Sequence, residues 1–229
     1  MLELIKAGGL VMAPILLLAV LALAIVIERF WSLRRKDVLP PGLGQEVREW
    51  ARGRQLDPEH IDVLRRNSPL GEVLAAALDV RYRPRELIKE RVEDVGRHVM
   101  HQMERFLNTL GTIASVSPLL GLLGTVFGMI QMFLKILVTG VGDVNQLAGG
   151  IGQALISTAG GLCVAIPAVM FHRYFRGLIA AYVVEMEKQA IALLDTIDEG
   201  ILPAANPARR KGDARDWVAP AGSRNPRST

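Results

Sequence analysis

From Phe106 to Leu134 the chain carries no charged side chain. As a helix rising about 1.5 Å per residue, that run covers more than the roughly 30 Å of a bilayer's hydrocarbon core. A second run without charge, GGIGQALISTAGGLCVAIPAV from Gly149 to Val169, follows closely. Both read as transmembrane helices joined by a short turn. Their glycines are the unusual feature, since each costs about 1 kcal/mol relative to alanine in a soluble helix. Gly121, Gly124 and Gly128 line one side of the first stretch, and Gly149, Gly150, Gly152, Gly160 and Gly161 crowd the second. In lipid, where helices associate by van der Waals contact, small residues at this spacing permit close approach.

The polar atoms fall on the same surfaces. At about 100° per residue, Ser117, Gly121, Thr125 and Gly128 share one stripe, and Gln153, Ser157, Gly160, Gly161 and Val164 share another, with Thr158 beside it. A buried amide or hydroxyl needs a hydrogen-bond partner, so these stripes face protein or a wet cavity rather than acyl chains. Two readings stand at this point. The hydroxyls bond back to their own helices with Gln153 as interhelical glue, or Thr125, Gln153, Ser157 and Thr158 line a path for ion movement.

A third uncharged run, Ala7 to Ile27, is also long enough to span. The chain is 50% hydrophobic, which argues against a soluble fold. Of its 27 Lys and Arg residues, 16 lie between the first two spans and nine after the third. The positive-inside rule places these segments in the cytoplasm and the N-terminus on the outer side of the membrane. That topology accounts for the basic balance without nucleic acid. The lone Cys163 lies within the third span and offers no disulfide framework.

In chain order, the expectation is an outer lead and first span over 1–28, a cytoplasmic helical domain over 29–106, and a second span over 107–136. A periplasmic loop over 137–147, a third span over 148–172, a cytoplasmic helix over 173–202 and a disordered tail over 203–229 complete the chain. A cleaved signal peptide is the competing reading of the first run; the arginines just beyond it favour a retained anchor. Pro14 is a candidate kink. Glu28, Arg29, Phe30 and Trp31 mark the inner interface. In the basic segment, short helices fit Gly44 to Arg54 and Leu70 to Tyr82. From Arg85 a long amphipathic helix, with Leu87, Val92, Val95, Val99, Met103 and Phe106 on its apolar side, is expected to run unbroken into the second span. Beyond Phe171 a stripe of Ile179, Val183, Met186, Ala190, Leu194, Ile197 and Ile201 wants a covering partner.

No span carries a Ser/His/Asp set, a carboxylate pair or a phosphate loop, so no enzymatic activity is expected. His98 and His101 stand one turn apart, yet no acidic or thiol ligand at matching spacing completes a metal site, and neither metal nor cofactor is expected. The fold class is an all-α integral membrane protein with three transmembrane helices, the second and third continuing as long cytoplasmic helices.

At PLLGLLGTVFGMI, Pro118 to Ile130, and GIGQALISTAGGLCVAIPAV, Gly150 to Val169, the sequence resembles the MotA/TolQ/ExbB proton channel family, in its ExbB-like branch. The resemblance covers most of the chain, including a first span ending in ERFW. It implies a homo-oligomeric ring, a pentamer, around single-span ExbD-like helices whose membrane aspartate carries protons, the motor energising a TonB-like protein. Thr125 and Thr158 match the threonines lining that pathway. Where better-known members have a glutamate, in GIAEAL, this chain has Gln153, which can donate and accept a hydrogen bond but cannot store a proton. A TolQ-like envelope-maintenance motor and a membrane scaffold without proton coupling are the alternatives.

Overall fold

The computed structural model describes residues 9–53, 57–139 and 144–201. The outer lead before Gly9, residues 140–143 of the expected periplasmic loop and the tail beyond Ile201 lie outside the described residues; the rest of the expected 137–147 loop is helical, 137–139 ending one helix and 144–147 starting the next. The described chain is all helix: α1 (Met12–Ser32), α2 (Arg35–Val38), α3 (Leu43–Gly53), α4 (Pro58–Asn67), α5 (Pro69–Asp79), α6 (Arg85–Met103), α7 (Leu107–Thr139) and α8 (Val144–Ile201). Three of these, α1, α7 and α8, are long and apolar enough to cross a membrane.

Pro14 lies in the first turn of α1, where a missing N–H costs no intrahelical bond. The helix packs Met12, Ile15, Ala22, Ile25 and Val26 inward and leaves Leu17, Val20 and Leu23 exposed. At its far end Phe30 meets Phe171 and Phe175 edge-on, with ring centroids 5.6 and 5.1 Å apart. This aromatic knot fixes where α1 crosses α8.

Beyond it, a basic lobe gathers around α5. Ser68 caps that helix by accepting from the Gly71 N–H at 3.1 Å, and Pro69 starts it. Leu70, Val73, Leu74, Ala77 and Leu78 are all buried. The stripe on α8 is covered by α3, α5 and α6, so Ile179, Met186, Ala190 and Leu194 are buried as well. On α6 the inward residues are Ile88, Val99 and Met103, whereas Leu87 faces solvent.

The second span is not one continuous helix with its extension. The chain breaks at Glu104 to Phe106, where Phe106 takes a left-handed backbone with φ 65°. The Leu107 N–H turns to the Glu104 carbonyl at 3.0 Å, which frees the Met103 carbonyl. The guanidinium of Arg29, only 4% exposed, donates to that carbonyl at 2.9 Å. Arg29 also pairs with Glu28, and it lies 5.6 Å from the Phe106 ring centre. A buried cation is tolerable only with such partners, and the break supplies one of them. Tyr182 on α8 answers in kind, donating its hydroxyl to the Leu33 carbonyl at the end of α1 at 3.1 Å.

Candidate functional site

The glycines of α7 and α8 seat the two helices against each other in antiparallel register. A methyl on Gly121 would lie 3.0 Å from the Thr158 Cα, and one on Gly128 would lie 3.2 Å from both the Ala154 Cβ and the Gly150 carbonyl oxygen. On Gly161 it would approach the Ser117 carbonyl oxygen to 2.5 Å. A methyl on Gly124 would overlap the Ser157 side chain. Gly160 turns another way, toward Met12 and Ile15 of α1. Gly149 and Gly152 have nothing within 4 Å and take no part in this packing.

The four polar residues singled out from sequence divide into two pairs. Ser157 is fully buried; its hydroxyl donates to the Gln153 carbonyl at 3.0 Å, one turn back on the same helix. Gln153 is half-buried, and its amide lies against Gly9, ahead of α1, closely enough that a side chain on Gly9 would collide with it. Both therefore face the interior of the chain's own fold, between the α7–α8 hairpin and α1.

Thr125 and Thr158 lie elsewhere. Thr158 donates across the interface to the Gly121 carbonyl at 3.2 Å, and Thr125 donates to the Leu122 carbonyl of its own helix at 2.6 Å. Both are half-exposed. Gly124 packs on Ser157 with Val11 of α1 3.7 Å from an added methyl, and Thr125 is rotated from it by about 100°; Gly160 faces Met12, and Thr158 is rotated from it by about 160°. The two threonines thus sit about a turn apart on the margin of the α7–α8 seam that points away from α1. Each hydroxyl proton is committed to a carbonyl, which leaves each oxygen with lone pairs that can accept.

His172, half-buried on α8, packs over Gly111 of α7. His98 and His101 stay on the exposed face of α6, with the His98 Nε2 2.8 Å from the Gln102 amide nitrogen. Sequence reasoning treated Arg29 only as an interfacial charge and did not single out Tyr182. A charged pair, Glu28 and Arg29, before the span's last aromatic residues was the available signal for the first; nothing local marked the second.

Three membrane-length helices, two of them locked through glycine into a hairpin that carries hydroxyls on its free seam, define a polytopic helical membrane protein. Its second and third spans form one unit and its first lies behind them. The model of the MotA/TolQ/ExbB proton channel family matches residues 65–188, and the chain belongs to that family. The biopolymer transport protein ExbB-like 1 of Synechocystis is 37% identical over 174 residues, 72% of this chain and 66% of that protein. ExbB-like 3 of the same organism is 33% identical over 181 residues, 75% of this chain and 83% of its own length. Biopolymer transport protein ExbB of Salmonella typhimurium is 40% identical over 95 residues, 42% of this chain. The match thus spans about two thirds of the first relative and 37% of the Salmonella protein.

Proposed function

We propose that this chain is the proton-channel and stator subunit of an inner-membrane motor. Its partner is an ExbD-like single-span protein supplying a membrane aspartate, and the proton motive force is passed to a TonB-like protein that energises transport across the outer membrane. The basic lobe lies in the cytoplasm and the α7–α8 turn on the periplasmic side, following the charge distribution.

The observation that carries this reading is the pair of half-exposed threonines on the seam opposite α1. In a ring whose first spans face lipid, that seam points to the axis, where a partner helix would stand. A hydroxyl that has given its proton to a carbonyl presents lone pairs, and lone pairs bind the protonated form of a carboxyl group. Thr125 and Thr158 would hold the partner's acid neutral on entry and, by rotating their hydroxyls, donate to it after it has released its proton. The driving force is about 2.3 kcal/mol per charge per 100 mV, with about 1.4 kcal/mol per pH unit added.

Gln153 motivates the scaffold alternative, since it cannot titrate. Its contact with Gly9, inside the subunit, weakens that alternative, because a residue away from the seam need not carry a proton. The test is proton flux into vesicles holding this chain and its single-span partner. Thr125→Val is expected to cut the flux about tenfold or more while Thr125→Ser retains it; equal flux in all three would overturn the reading.

A further inference from the structure

Just past the aromatic knot, the chain from Arg35 to Gly44 walls a cavity of about 670 Å³ against α3, α8 and the Leu70 end of α5. Pro40 and Pro41 stiffen one wall, and Gly42 ends it with φ 84°, a left-handed turn that favours glycine. Arg35, Lys36 and Arg48 line the space, and the carboxylate that faces them is Glu185.

That carboxylate is already engaged. Gln189 donates to it at 3.1 Å, and Lys188 approaches it at 4.0 Å from the same helix. Arg48 instead donates to the Gln189 Oε1 at 2.9 Å, so one amide ties α3 to α8 and orients the guanidinium. A side chain at Gly44 would collide with that amide, which makes the glycine a condition of the arrangement. Among the described residues, none of the three cations has an ion-pair partner. Arg34, their neighbour, stacks on Trp31 outside the cavity with its guanidinium carbon 4.7 Å from the ring centre.

Three like charges around one concave space repel each other, and an anion would relieve that repulsion. The volume lies within the usual range for small-molecule sites, larger than a bare phosphate needs. We propose that this cavity binds a phosphate-bearing anion with an organic body attached, with Arg35, Lys36 and Arg48 holding the phosphate and Leu39 and Leu70 contacting the body. Two sources share this chemistry. Arg35 and Lys36 follow α1 closely enough to meet a lipid headgroup. Glu185 lies 14 residues beyond Phe171 on α8, about 21 Å along the axis, deeper than a headgroup layer and open to a soluble phosphate ester. The inference is independent of the proton pathway, because it concerns the other end of the molecule.

The test compares the full chain with Arg35→Gln/Lys36→Gln and with Arg34→Gln, which also removes charge at this level but outside the cavity. Nanodiscs of phosphatidylcholine with phosphatidylglycerol, read by native mass spectrometry, report the lipid arm; ADP titrated into the detergent-solubilised chain reports the soluble arm. Loss of about tenfold or more in one arm for the double variant, with Arg34→Gln near the unaltered chain, supports the site and names the source. Because both replaced side chains of the double variant are exposed, its melting temperature is expected to stay close to the parent's without ligand. Binding in neither arm, or equal loss in both variants, overturns the proposal.

Discussion

At the scale of single residues, two adjacent glycines make opposite predictions. Gly161 faces backbone, the Ser117 carbonyl at 2.5 Å and the Gly121 Cα at 3.1 Å from any added methyl, and backbone in a packed hairpin cannot step aside. Gly160 faces the end of Met12, with the Cε at 3.1 Å and the Sδ at 3.2 Å, and a thioether swings away at little cost. Gly161→Ala is therefore expected to destabilise the solubilised protein by about 1–3 kcal/mol, and Gly160→Ala to stay within about 0.5 kcal/mol of the parent. Thermal unfolding in one detergent checks the pair; equal melting temperatures would mean that the α7–α8 register is wrong. Thr158→Val tests the same interface differently. It keeps the volume and removes the donor to the Gly121 carbonyl, at an expected cost of about 0.5–1.5 kcal/mol.

At the scale of the element, the break between α6 and α7 is the feature that sequence periodicity cannot show. Apolar spacing runs through Val99, Met103 and Phe106 without proline or glycine, so the local pattern describes one helix. What interrupts it is remote: Arg29, 74 positions earlier, needs an acceptor, and the Met103 carbonyl becomes available only if the helix stops. By contrast the three spans, α5 and the stripe on α8 were legible, because burial there repeats with the helical period along one element. On α8 the spacing does not separate Gly160, which turns to Met12 of α1, from Gly161, which meets the backbone of α7. Which side of the hairpin α1 covers was not, and that decides that Ser157 and Gln153 turn inward while Thr125 and Thr158 do not. Arg29→Ala is expected to leave the Met103 carbonyl unsatisfied and to cost about 1–3 kcal/mol. Arg29→Lys, which keeps the charge but not the planar fork, should fall between. Hydrogen exchange gives the sharper reading: amide protection from Glu104 to Leu110 should drop in Arg29→Ala before protection in α5 changes. Uniform loss across the lobe would argue that Arg29 serves the fold at large rather than this junction.

At the scale of the whole molecule, the question is where the proton is held. Gln153→Glu places a titratable group at the position where better-known relatives carry one, yet in this fold the side chain lies against Gly9 and inside the subunit. A carboxyl group there would face Gly9 and not the seam on which Thr125 and Thr158 lie. If the partner's acid does all the titrating, Gln153→Glu leaves the pH dependence of vesicle proton flux unchanged, whereas Thr125→Val lowers the flux at every pH. A new titration step in the flux of Gln153→Glu would show that protons reach the space between α1 and the hairpin. The path would then run through the subunit instead of along the seam. The two outcomes also differ in what they require of the assembly: a seam path exists only where neighbouring copies close around a partner, so the chain alone should conduct no protons, while an interior path needs no neighbour. Measuring the flux of the chain without its partner therefore separates them, and the placement of Thr125 and Thr158 on the seam away from α1 predicts that this flux is absent.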